Sequence, residues 1–121
     1  MKCVIGILLA AFLIGFNAKH HRLKNDWVGS YVNEYGTVLN IKDETLVDFT
    51  FEIINKKGEC QESFHGKAVL EKANNASYHD KDNILIITLL RRTDGRIEVS
   101  ETGFQHAPDC LSFSGIFKPS N

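Results

Sequence analysis

The chain has 121 residues, 43% of them hydrophobic and 24% charged, with 14 basic against 15 acidic side chains. That length allows one domain with a modest core. The charges are dispersed, with no basic stripe and no acidic tail, which argues against generic nucleic-acid binding and against strong attraction to anionic membranes.

Residues 1–18 read as a secretory signal peptide: Lys2 precedes an apolar run from Cys3 to Phe16, and small and polar residues follow. The run is too short for a bilayer core of about 30 Å, which takes roughly 20 residues. Ala18 offers a small residue before the cut, but Phe16 fits the preceding small position poorly, so a cut after Gly15 competes. Leu13, Ile14 and Gly15 look like the start of a lipobox, yet Phe16 stands where lipidation needs Cys, so no membrane anchor is expected after cleavage. An uncleaved anchor is the structural alternative. With Lys19 as first residue the mature chain keeps 13 basic against 15 acidic residues, and its expected location is periplasmic or secreted.

Cleavage takes Cys3 away and leaves Cys60 and Cys110, whose simplest arrangement is one disulfide. It closes a loop of about 51 residues, worth roughly 4 kcal/mol in the chain-entropy picture. The bridge removes both thiols as nucleophiles or metal ligands, and no C-x-x-C spacing is present.

Residues 19–26 are polar, carry His20 and His21, and read as a flexible N-terminal segment; 27–121 form the domain. A first strand runs over 27–32, a turn over 33–36, and Thr37, Leu39 and Ile41 then alternate with polar neighbours. The cleanest segment is 47–53, whose period of two buries Val47, Phe49, Phe51 and Ile53. A hairpin turn at 55–58 leads into a strand from about 59 to 70, and 74–83 reads as the longest loop. Residues 84–90 are nearly all apolar and fit a strand covered on both faces or a short helix; the isoleucines and the Asp94-Gly95 turn favour the strand. Residues 96–101 alternate again, and 111–117 close the domain. Outside the leader only 67–75 carries any helical period. Seven to eight strands joined by hairpins predict an all-β fold, a small antiparallel β-barrel or sandwich, with closure favoured because it removes exposed edges.

Trp27-x-Gly29-x-Tyr31, Phe64-x-Gly66-x-Ala68 and Phe113-x-Gly115-x-Phe117 share one form. Each glycine lies on the face of the flanking aromatics, where it lets a strand bend or a ring lie over the backbone. Because two copies follow Cys60 and Cys110 closely, the pattern suggests two bent strands joined at one end by the bridge. The opening Trp-x-Gly-x-Tyr, the turn from Asp94 to Val99 and the close from Asp109 to Lys118 together resemble small bacterial periplasmic β-barrel proteins similar in build to periplasmic lysozyme inhibitors. The C-type lysozyme inhibitors use a Ser-Gly loop with a nearby Tyr and Lys. Here Ser114-Gly115 falls inside the last expected strand, so no functional residue is carried over.

Chemistry is sparse. His79-Asp80-Lys81-Asp82 sets one imidazole beside two carboxylates, a pattern more typical of a solvated turn than of a cation site. Ser63 and His65 lack a nucleophile elbow or an oxyanion loop, so no catalytic residue and no cofactor is assigned. A terminus beginning Lys19-His20-His21 offers four nitrogens in the square plane that suits Cu(II) or Ni(II), against a plain polar terminus. Arg91, Arg92 and Arg96 form a basic tip, and Asn75-Ala76-Ser77 fits a glycosylation acceptor. The leading functional reading is a protein-binding module: an inhibitor or immunity protein against a cell-envelope hydrolase such as a lysozyme, and no enzyme itself. Its contact loops are 74–83, 91–96 and 103–109, with Tyr78, His79, Arg92, Phe104 and His106 as contact residues. The alternative is a lipocalin-like carrier whose aromatics line a cavity for a small apolar ligand.

Overall fold

The computed structural model describes residues 26–120, so the leader, its cut site and the Lys19-His20-His21 segment lie outside the described residues. Eight antiparallel strands follow one another in chain order: β1 (Gly29–Val32), β2 (Val38–Lys42), β3 (Asp48–Asn55), β4 (Glu62–Lys72), β5 (Asn75–His79), β6 (Ile86–Arg91), β7 (Ile97–Thr102) and β8 (Gly115–Pro119). Each pairs with its neighbour, and β8 pairs with β1, so the sheet closes into a barrel. The choice between barrel and sandwich is settled as a barrel. No helix forms among the described residues, and 67–75 is the end of β4 and its turn into β5.

Period-two alternation builds the interior. Along β3, Phe49, Phe51 and Ile53 are fully buried while Asp48, Thr50 and Glu52 face outward. Ile87 and Leu89 do the same on β6, and Ile97 and Val99 on β7. Rings stop both ends. Trp27, 1% exposed, stacks 4.8 Å from Phe49 at the end where the chain enters. Phe104 and Phe113 lie 4.8 Å apart at the other end.

Four expectations need correction. Val47 is 63% exposed, because the Thr45 hydroxyl accepts from the N–H groups of Val47 and Asp48 and holds 45–47 as a turn; the alternation starts at Asp48. The polar stretch 74–83 contains β5, which pairs along its length with β6. β6 is not covered on both faces, since Leu90 is 39% exposed and Ile84, before the strand, 64%. The bridge does pair Cys60 with Cys110, but β4 and β8 are not neighbours. The disulfide therefore ties the turn before β4 to the long segment between β7 and β8.

Strand order places the turns 33–37, 56–61 and 80–85 and the 103–114 loop at one end, called here the mouth. The chain entry and turns 43–47, 73–74 and 92–96 sit at the opposite end.

Candidate functional site

The mouth carries the densest polar chemistry. β4 points Glu62, Phe64, Gly66 and Ala68 inward, and β7 does so with Ile97, Val99 and Glu101. Two carboxylates thus face the rim from different sides of the barrel. Loop 103–114, longer than an ordinary hairpin connection, crosses between them. It lays His106 into the gap, Nδ1 2.6 Å from Glu62 Oε1 and Nε2 2.6 Å from Glu101 Oε1. The side chains of His106, Glu62 and Glu101 are 15%, 11% and 6% exposed.

Each carboxylate does more than hold the imidazole. Glu62 also accepts from the Ala107 N–H at 2.9 Å and from Asn55 Nδ2 at 3.1 Å. Glu101 accepts from the Ser112 hydroxyl at 2.8 Å and from the Phe113 N–H. Asn55, 3% exposed, extends the chain of bonds: its Oδ1 accepts from the Thr37 hydroxyl and its Nδ2 donates to the Leu111 carbonyl. A single network therefore runs from β3 through β4 and the loop to β7, with every named donor and acceptor paired.

Only an imidazolium donates from both ring nitrogens, so the geometry selects the protonated form. Burial works against that charge, but the bonds from Glu62 and Glu101 outweigh it and hold His106 above its ordinary 6.5. Burial likewise pushes Glu62 up; His106, Ala107 and Asn55 together draw its carboxyl below the ordinary 4.5. Phe104 and Phe113 cover the imidazole at ring separations of 4.5 Å and 4.7 Å. With both nitrogens engaged, His106 has no lone pair for a metal or a substrate proton. Its chemistry here is that of a clamp.

The expected contact residues divide. Tyr78, Phe104 and His106 come together through Phe64, whose ring lies 5.2 Å from Tyr78 and 5.8 Å from Phe104. All three sit half-buried in the mouth packing instead of projecting from loops. Tyr78 belongs to β5 and lies over Gly66, where an added Cβ would stand 3.0 Å from two of its ring carbons. Here the repeated glycine does what its pattern suggests: it lets a ring lie on the backbone. His79 is exposed near the mouth, and Arg92 is at the opposite end.

Several sequence candidates resolve into ordinary structure. Asp80 Oδ1 accepts from the Ile84 N–H at 2.9 Å and so shapes the 80–85 turn. The basic tip is offset by Glu98, 2.8 Å from Arg92, and by Asp94, 2.7 Å from Arg96. Ser77 of the glycosylation triplet is 7% exposed within β5, and Asn75 Oδ1 is buried, so the triplet is not presented as an acceptor. Ser63 and His65 point outward from β4, away from the mouth network. Among the described residues, the group of three metal-ligating types whose ligand atoms all lie within 4.8 Å of one another is Cys60, Glu62 and Cys110, and its two sulfurs are bonded to each other.

Sequence reasoning missed Glu62 and Glu101. A signal exists: both fall on the inward phase of their strands, where a carboxylate needs a buried partner. It also missed the apolar side chains that the mouth leaves open: Tyr35 at 45% exposure, Leu111 at 51% and Ile84 at 64%. No family model, curated protein or solved structure matches the chain.

Proposed function

We propose that the chain is exported and acts as a protein-binding module, an inhibitor or immunity protein directed at a cell-envelope hydrolase such as a lysozyme. The observation that carries this reading is the filled interior. Phe49, Phe51, Ile53, Ile87, Leu89, Phe113 and Phe117 are all 0% exposed, and rings close both ends. A barrel occupied by its own side chains works through its outside, which weighs against the carrier.

Further support comes from three features of the mouth. The Cys60–Cys110 bridge suits an oxidising compartment. While His106 is protonated, the disulfide and the clamp hold loop 103–114 in one shape, so little ordering entropy remains to be lost on docking. Tyr35 and Leu111 flank one hollow with Lys57 and Asp109, an aromatic and an aliphatic anchor ringed by charge. These residues replace Tyr78, Phe104 and His106 as the contact set.

The test is binding and inhibition by the mature chain against purified lysozymes and other cell-wall hydrolases. The reading expects at least one to be bound with a dissociation constant below about 1 μM and inhibited in a cell-wall clearing assay. Tyr35→Ala is expected to weaken that complex by roughly tenfold or more. No binding and no inhibition across the panel at about 100 μM removes it.

A further inference from the structure

We propose that the mouth is a pH-gated surface: while His106 carries its proton the 104–109 half of the loop is held down, and when the proton leaves that half lifts. The gate is a property of the folded chain alone. That it regulates a contact surface rests on the binding function proposed above.

His106 sits 2.6 Å from a carboxylate oxygen on each side. A neutral imidazole has one N–H and one lone pair. Loss of the proton therefore turns one of the two contacts into a lone pair facing a carboxylate oxygen, and that contact must open. The charged groups facing the ring are Glu62 from β4 and Glu101 from β7. β3 contributes only the uncharged Asn55, and the loop itself contributes Ser112, Phe104 and Phe113. Among the described residues no lysine or arginine contributes to the charge balance of His106 or Glu62. Without the imidazolium two carboxylates stay behind, partly buried and with no cation between them.

The loop is built to move in one half. Its first residue, Gly103, has φ 85° and lies against the Ile84 carbonyl, a fixed hinge point. Its second half is pinned by the Cys110 bridge, by Phe113 in the core and by Ser112 on Glu101. Between these points, among the described residues, His106 and the Ala107 N–H are the hydrogen bonds that fasten 104–109 to the barrel, beside the packing of Phe104; within the loop the Ala107 carbonyl accepts from the Cys110 N–H at 2.9 Å and marks where the pinned half begins. Lifting this half uncovers the faces of Phe64 and Phe113 that Phe104 and His106 now shield.

The experiment is amide hydrogen exchange by NMR on the full mature chain, with the His106 ring resonances followed in the same samples. After correction for intrinsic exchange, protection of the Ala107 amide is expected to fall roughly ten- to a hundredfold between about pH 5.5 and about pH 8.5, the loss of one charge-assisted bond. The fall should track the His106 ring shift and exceed the change at the core amides of β3, which follow global stability alone. His106→Gln is expected to give weak Ala107 protection that no longer varies with pH. Glu62→Gln provides a second, well-packed test: its amide can donate to the neutral ring while its oxygen accepts from Ala107, but it meets the imidazolium donor to donor, so Ala107 protection no longer falls as pH rises. His65→Gln, outside the mouth, should leave the gate intact. Ala107 protection that stays constant while His106 titrates overturns the proposal, as does a fall in protection with rising pH that survives Glu62→Gln. Because no partner is present, failure here leaves the binding reading standing, and a failed hydrolase panel leaves the gate standing.

Discussion

Replacing Glu101 with alanine should unsettle the fold more than any other single change at the mouth. The carboxylate is 6% exposed and accepts from His106 Nε2, the Ser112 hydroxyl and the Phe113 N–H. Its removal leaves three donors without their acceptor and an imidazolium with one counter-charge in place of two. A buried donor left without a partner costs about 1–3 kcal/mol, and breaking a buried ion pair from one side costs about 3–5 kcal/mol. Ser112 is exposed and can turn to water, so a total of about 3–5 kcal/mol is expected, a large share of the 5–15 kcal/mol typical of small domains. For a domain of this size that lowers the melting temperature on the order of 20 °C. The assay is urea unfolding followed by the fluorescence of Trp27, the single tryptophan, which is 1% exposed at the opposite end and so reports global unfolding. A midpoint change equivalent to less than about 1 kcal/mol would refute the reasoning.

The remaining predictions are these. Stability should peak between pH 4.5 and 6.5, the ordinary values for Glu62 and His106. The raised His106 contributes fully below 6.5 and loses its contribution as pH rises through its folded value; the lowered Glu62 contributes fully above 4.5 and loses its contribution as pH falls through its own. Denaturant midpoints across pH check both limbs, and a flat profile contradicts them. Gly103→Ala should destabilise far more than Gly36→Ala: both have φ 85°, but a Cβ at 103 would lie 2.0 Å from the Ile84 carbonyl oxygen, while nothing lies within 4 Å at 36. Matched thermal melts measure the difference. Phe113→Ala, in a fully buried site, should cost about 3–5 kcal/mol, and converting both Cys60 and Cys110 to serine about 4 kcal/mol, each read by urea unfolding.

Legibility in the sequence followed the strength of the hydrophobic period. Phe49, Phe51 and Ile53 announce β3, and the even cysteine pair announces the bridge. β5 stayed hidden because only Ala76 and Tyr78 of its residues join the apolar core, and Asn75, Ser77 and His79, on the opposite phase, have loop composition even though Ser77 is buried. Its pairing with β6 decides its state, a tertiary effect that local composition cannot carry. Residues 111–114 read as strand from alternating Leu and Phe, yet Leu111 is exposed and Phe113 plugs the mouth from an irregular loop. His106 was visible as a candidate, but its partners lie 44 and 5 residues away in the chain. Only barrel closure and strand phase bring those three together.

A full interior is the premise of the proposed function. It is tested most directly by an amide chemical-shift titration of the mature chain with a small apolar probe such as palmitate. No saturable shift is expected at Phe51, Ile87, Leu89 or Phe113, the buried lining of the barrel. Saturable one-to-one binding with shifts centred on those residues would contradict it.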